Sequence, residues 1–227
     1  ATVDENGLVT THAYGRATIT ATANDGSTHT CAIQIRFSDV QTPSYYFKTV
    51  YWAADEGITM GYTSGVNAGK FGVGLDCQRR ELMIFLWRYA GSPTKDASGK
   101  AYGDARTMFN DLSAYDTNTA TNQAIAWAYK EGITKGYDDG GFHPTSSILR
   151  KDVMILLYRM AGKPAVSGST GFSDCDGVYS KNSDPYKAIL WGSQKGITNG
   201  MDDNSFGALQ NCTREQIVTF LYRDLAE

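Results

Sequence analysis

Apolar residues recur at helical spacing in short blocks, and the blocks themselves recur along the chain. Leu82, Met83, Phe85 and Leu86 form one stripe, and Ile217, Val218, Phe220 and Leu221 form its match near the end. Spacings of this kind predict helices with one buried face. The first 36 residues have a different texture. Ala17 to Ala23 alternates small or apolar residues with threonine, a strand pattern; Asn24-Asp25-Gly26-Ser27 is a turn, and Thr30 to Ile35 a second strand. A further hairpin is expected around Asn6-Gly7. These strands are too few for an independent domain.

The blocks belong to three copies of one unit. Each copy opens with phenylalanine and aspartate: Phe37 and Asp39, Phe109 and Asp111, Phe172 and Asp174. A tryptophan follows (Trp52, Trp127, Trp191), preceded at two residues by an aliphatic side chain, and five residues on comes Gly-Ile-Thr-x-Gly, ending at Gly61, Gly136 and Gly200. Then stand Phe71, Phe142 and Phe206, an arginine eight residues later (Arg79, Arg150, Arg214) and another nine further (Arg88, Arg159, Arg223). The copies start 72 and 63 residues apart. The expected domain plan is 1–36 for the β segment, 37–91, 109–162 and 172–227 for the repeats, with connectors at 92–108 and 163–171. The first connector is polar and expected to be mobile.

One repeat reads as helix, tight loop, helix. The glycine after the tryptophan helix suits the left-handed residue that closes a helix. Asp184-Pro185 is expected to supply an N-cap and a first-turn proline, and Thr213-Arg214-Glu215-Gln216 a capping box. A two-helix unit of this size cannot bury its own stripe, so the copies should pack together, giving a mainly α fold.

Composition narrows the function classes. With 21 basic and 24 acidic residues there is no broad basic field, which argues against nucleic-acid binding. The longest apolar run, Leu82 to Trp87, is six residues, far short of the roughly 18 of a membrane span. The four cysteines (31, 77, 175 and 212) contain no Cys-x-x-Cys pair, so no zinc ribbon is expected. Cys77 and Cys212 share one repeat position, which favours a common buried packing role; one disulfide stays open for an extracellular chain. His12, His29 and His143 form no catalytic motif, and Asp138-Asp139 and Asp202-Asp203 lack the ligand pattern of a calcium loop, so turns are expected. No cofactor, metal site or enzymatic activity is expected.

Phe-Ser-Asp-Val, the tryptophan helix, Gly-Ile-Thr-x-Gly, Phe-x-Pro and Thr-Arg together resemble the S-layer homology repeat, and the resemblance spans residues 37–227. The segments Ala1 to Asp4, Gly7 to Thr10 and Gly15 to Ile19 look like the second half of a bacterial Ig-like domain of the Big-2 type. The resemblance implies a pseudo-threefold body with one helix per repeat in a central bundle. It also implies non-covalent anchoring of an exported protein to the cell surface of a Gram-positive-type bacterium. The implied ligand is a secondary cell-wall polymer, often pyruvylated, or a peptidoglycan-linked glycan, held in grooves between repeats. The family's arginine maps onto Arg79, Arg150 and Arg214, and the acidic or amide position two later onto Glu81, Asp152 and Gln216.

Chemistry agrees with that role. Arginine stays charged and can grip the carboxylate of a pyruvyl ketal with two hydrogen bonds. At a helix start it lies beside free N–H groups that also favour an anion. Gly61, Gly136 and Gly200 would admit a ligand to the backbone. Trp52, Trp127 and Trp191 either pack in the core or stack on sugar rings. The copies also depart from the motif: Gln78 and Leu149 replace threonine before the first two arginines, only the second copy has Phe-x-Pro, and Gln216 is not an acid. The first copy also has an altered, glycine-rich loop from Tyr62 to Lys70, so Arg214 and Arg150 rank above Arg79. The later arginines are expected to serve helix C-termini or to pair with Asp39, Asp111 or Asp174 of a neighbouring repeat. The competing reading is a degenerate triplet serving as a structural or protein-interaction module.

Overall fold

The computed structural model describes residues 2–10, 14–112 and 119–225. His12 and Ala1 lie outside them. The chain divides into two compact units, one ending at Gly74 and one beginning at Leu75.

In the first unit the β segment forms two separate antiparallel pairs. β1 (Thr2–Val3) pairs with β2 (Val9–Thr10), and β3 (Gly15–Thr22) with β4 (Thr28–Ile35) in a register that sets Arg16 opposite Gln34 and Thr22 opposite Thr28. Asp4 and Asp25 shape the turns by accepting backbone N–H groups of Asn6, Leu8 and Ser27. α1 (Phe47–Asp55) follows. The Tyr14 hydroxyl donates to Asp55 at 2.6 Å, and its ring stacks on Phe37 at 5.0 Å. Burial, then the neighbouring Asp55 carboxylate, pushes the Tyr14 hydroxyl up to about 12.

The second unit holds α2 (Arg79–Tyr89), α3 (Thr119–Lys130), α4 (Arg150–Met160), α5 (Asp184–Gln194) and α6 (Arg214–Leu225). α3 packs against α2, and α5 against α4. Both α3 and α5 close as expected, on glycines of positive φ, Gly132 (70°) and Gly196 (70°). The next N–H reaches back across that turn, Ile133 to Ala128 and Ile197 to Gly192, each at 2.8 Å. The α5 cap falls one residue earlier than read from the sequence. Ser183 accepts from Tyr186 N–H, and Asp184 stands in the first turn. The α6 capping box is half made: Gln216 accepts from Thr213 N–H at 3.3 Å, whereas the Thr213 hydroxyl is buried without a partner.

The three segments before α2, α4 and α6 close a ring of backbone hydrogen bonds. Cys77 N–H donates to Cys212 (3.0 Å), Cys212 N–H to Ile148 (2.8 Å) and Ile148 N–H to Cys77 (2.9 Å). One step on, Arg79, Arg150 and Arg214 N–H donate to Ser146, Gln210 and Leu75, around the ring in the opposite sense, at 2.9, 2.9 and 3.1 Å. Three chemically different segments thus satisfy their backbone groups cyclically, and this gives the second unit its pseudo-threefold order. Cys77 and Cys212 are buried in this ring, and all four cysteines are free thiols. Burial pushes the Cys212 thiol up to about 12 and Cys77 higher than normal as well.

The stretch 92–108 folds back where a mobile connector was expected. Lys95 bridges Ala101, Trp87 donates its indole N–H to Pro93 at 2.8 Å, and the buried Tyr102 donates to Glu131 at 2.9 Å.

Candidate functional site

A frame of hydrogen bonds repeats in every copy and fixes the loop that carries each arginine. Asp39 accepts N–H groups from Phe71, Gly72 and Val73; Asp111 from Phe142 and His143; Asp174 from Phe206, Gly207 and Ala208, all at 2.7–2.9 Å. These aspartates are occupied by loop backbone and leave the later arginines to other partners. Arg159 pairs with Asp184 at 3.0 Å and donates to the Ile133 carbonyl at 3.3 Å; Arg223 donates to Ile197 in the same way. Each of these two arginines ties its own repeat's second helix to its Gly-Ile-Thr loop.

The Gly-Ile-Thr-x-Gly loop is drawn tight by its threonine. Thr59, Thr134 and Thr198 accept the N–H of Gly61, Gly136 and Gly200. At Gly136, φ is 71° and an added Cβ would lie 2.5 Å from the Phe109 ring and 2.7 Å from the Gly141 carbonyl. Gly61 and Gly200 meet Phe37 and Phe172 in the same way. A side chain is thus excluded here by packing alone. Trp127 and Trp191 are buried in α3 and α5, and Trp52 is half-buried in α1.

The three helix-start arginines are 6%, 3% and 3% exposed in chain order. Arg79 and Arg150 each donate Nε–H to the carbonyl of the next copy's loop phenylalanine, Phe142 at 2.9 Å and Phe206 at 3.0 Å. Beyond that bond their surroundings diverge. Arg214 donates Nη1–H to Glu81 at 2.7 Å and lies over the Phe85 ring at 5.0 Å. Arg150 lies over Phe206 and Phe220 at 5.0 and 5.2 Å. Arg79 lies over Tyr137 and Phe142 at 4.6 and 5.0 Å. Among the described residues its terminal nitrogens have no hydrogen-bond or ion-pair partner.

Arg79 instead lines a cavity of ≈ 170 Å³ with Lys135, Gly136, Tyr137, Asp152 and Leu156. Burial lowers the pKa of the Arg79 guanidinium from its ordinary value, while Tyr137, Asp152 and Asp111 act the other way. A carboxylate entering the cavity would act in that second sense. Asp152 is itself held by Lys151 at 3.0 Å, and Lys135 is exposed at the rim. The cavity therefore offers two cations not spent on a carboxylate, an aromatic face and a backbone loop. It falls at the arginine that motif matching ranked last. Of the expected site residues it unites Arg79, Asp152 and Gly136. Glu81 is engaged with Arg214, and Gln216 with the Thr213 N–H. Lys135 and Tyr137 were not singled out from the sequence, although the tyrosine after the loop glycine recurs at Tyr62 and gives way to Met201 in the third copy.

Among the described residues no cluster suited to a metal ion occurs, and no helix is long and apolar enough to cross a membrane.

Comparison with family models places this geometry. The model of the S-layer homology domain matches residues 36–70, 109–154 and 180–218, and that of the bacterial Ig-like domain (group 2) matches residues 1–33. The chain belongs to the S-layer homology family. No curated protein matches it. Domains of this family bind cell-wall polymers and anchor proteins at the cell surface, so the chain is a cell-surface module built of non-catalytic binding and structural domains.

Proposed function

We propose that this module anchors its protein by binding a pyruvylated secondary cell-wall polymer of a Gram-positive-type bacterium, with the Arg79 cavity as its principal site. The observation that carries the reading is a buried arginine that lines a cavity and whose terminal nitrogens have no hydrogen-bond or ion-pair partner among the described residues. A fixed carboxylate beside a sugar ring matches it. The carboxylate accepts two hydrogen bonds from Arg79, and the ring lies against Tyr137 and the Gly136 loop. Lys135 adds positive potential at the entrance. The alternative, a structural module, is favoured locally at Arg214, whose charge is already met by Glu81.

The test is calorimetric titration with a 4,6-O-pyruvylated hexopyranoside, beside sedimentation with native cell walls and with walls stripped of secondary polymer. Arg79→Ala is expected to weaken binding roughly 10- to 100-fold, the worth of about 1.5–3 kcal/mol for a charged hydrogen-bonded contact. Equal sedimentation with stripped walls, or unchanged affinity in a folded variant, would remove the reading.

A further inference from the structure

The loop of the second copy, which meets Arg79, departs from the other copies on both sides of its phenylalanine, and the departures fit one another. In the first and third copies a glycine follows the phenylalanine, Gly72 and Gly207, at φ of 95° and 74°. In the second copy that residue is His143, held at φ 58°. A side chain in the left-handed region costs conformational energy that glycine avoids. The residue before the phenylalanine changes in the reverse direction. It is Lys70 or Ser205 in the other copies and Gly141 here. An added Cβ at Gly141 would lie 2.8 Å from His143 Cδ2 and 3.0 Å from its Nε2, so the imidazole takes the space of a side chain at 141.

The exchange gives the imidazole its partners. In the third copy Asp203 accepts both the N–H and the hydroxyl of Ser205. In the second, Asp139 accepts the Gly141 N–H at 2.8 Å, and its other oxygen lies 2.7 Å from His143 Nε2. So fixed, the imidazole stacks on Tyr137, with ring centroids 4.4 Å apart and planes at 25°. The third copy has Met201 in place of this tyrosine. Tyr137 in turn lies against the Arg79 guanidinium at 4.6 Å and lines the cavity. Arg79 also donates to the Phe142 carbonyl, which shares a peptide unit with the His143 N–H that Asp111 holds at 2.7 Å. His143 therefore reaches Arg79 by two routes, its ring through Tyr137 and its backbone through that carbonyl.

We infer that His143 is a positioning residue of the Arg79 site: its imidazole, fixed by Asp139, holds Tyr137 against the guanidinium and so sets the aromatic wall of the cavity. Tyr137 is 42% exposed. A tyrosine that exposed, without a stacked neighbour, samples several rotamers, and ordering it would then fall to the ligand. A left-handed histidine where the other copies have glycine is local strain kept where it prepares a contact. The inference rests on the proposed carboxylate ligand and adds the residue beyond the cavity that readies the site for it.

The experiment titrates the whole chain with the same pyruvylated hexopyranoside and follows thermal melting without ligand. His143→Gly restores the residue of the other copies and removes the stack. It should weaken binding roughly three- to tenfold, in line with the loss of one aromatic contact and of the order it imposes. Its melting temperature should stay near the parent's, because relief of the left-handed strain offsets the lost contacts. His143→Phe keeps a flat ring on Tyr137 but loses the bond to Asp139. It should recover most of the affinity at a lower melting temperature, so that binding follows the ring and not stability. Gly141→Ser sets a Cβ against the imidazole and should weaken binding as His143→Gly does. Added to His143→Gly it should cost nothing further, since the pair rebuilds the third copy's loop. Binding by the parent protein that His143→Gly leaves unchanged, or a loss that His143→Phe fails to restore, would overturn the positioning role and leave the anchoring reading standing. Absence of binding by the parent protein would overturn the carboxylate reading and the role of His143 with it.

Discussion

Arg79 and Arg214 hold the same place in their repeats, start equivalent helices and donate their backbone N–H into the same ring, yet their charges are used differently. Arg214 spends its charge inside the fold, on Glu81 and against Phe85. Arg79 keeps one internal side-chain hydrogen bond, to the Phe142 carbonyl, and lines a cavity. A repeat protein can therefore preserve a residue in several copies while committing its charge to an internal ion pair in only some of them. The frame that positions the residue is separate from the partner that consumes it.

The largest effect expected from breaking this comparison is on stability. Arg214→Ala leaves Glu81 half-buried without its partner and should cost about 3 kcal/mol, as for other broken buried pairs. Arg79→Ala loses one charge-assisted bond to a carbonyl but breaks no ion pair, so about 1–2 kcal/mol is expected. Denaturant unfolding of the two variants measures the difference. Equal losses would show that Arg79 is as deeply committed to the fold as Arg214.

How far the sequence carries this distinction is instructive. The repeat frame is legible, because Phe-Asp, Gly-Ile-Thr-x-Gly and the paired arginines recur at fixed offsets, and their roles are local. Asp174 grips a loop only about thirty residues away, and Gly136 is forced by the ring of its own repeat's Phe109. The hairpin at Asn24 to Ser27 is equally local. The choice of site is not legible, because it depends on which helix faces which. Asp152 and Glu81 can be aligned by eye, but their relation to Arg79 and Arg214 exists only once the segments close into a ring. Ranking the arginines by their copies' likeness to the motif, with the altered loop of the first copy against Arg79, weighs features of single repeats and not which helix faces which guanidinium. The contacts of the 92–108 stretch are hidden for the same reason. Its composition is polar, but Trp87 and Tyr102 anchor it by bonds to Pro93 and Glu131 that no local pattern announces.

A smaller effect tests the shared frame. At Asp174, burial works against the charged form, but N–H groups of Ala208 and Phe206 overcome it and hold the carboxyl below its usual range. The folded pKa is thus depressed relative to an unfolded value of about 3.9. Between the two, the unfolded chain binds more protons. The stability Asp174 contributes is whole above about pH 4 and is lost as pH falls through the folded value. Asp174→Asn should be less stable than the parent protein at pH 7, with the gap narrowing below about pH 4. A gap that stays constant down to pH 2 would deny the carboxylate this role.

The smallest effect separates the two cations of the open site. Lys135 is exposed at the rim and Arg79 is buried, so the solvent screens them unequally. Lys135→Ala should weaken binding of the pyruvylated sugar two- to fivefold at low salt, in line with about 0.2–1 kcal/mol for exposed charge pairs. Near 1 M salt, where the Debye length is about 3 Å, that penalty should vanish. The penalty of Arg79→Ala should survive, because its bonds to the ligand form away from the salt. Titrations of both variants across ionic strength decide the matter. If the two penalties fade together, Arg79 meets its ligand in water as Lys135 does, and the burial that distinguishes its site from the rim has no part in binding.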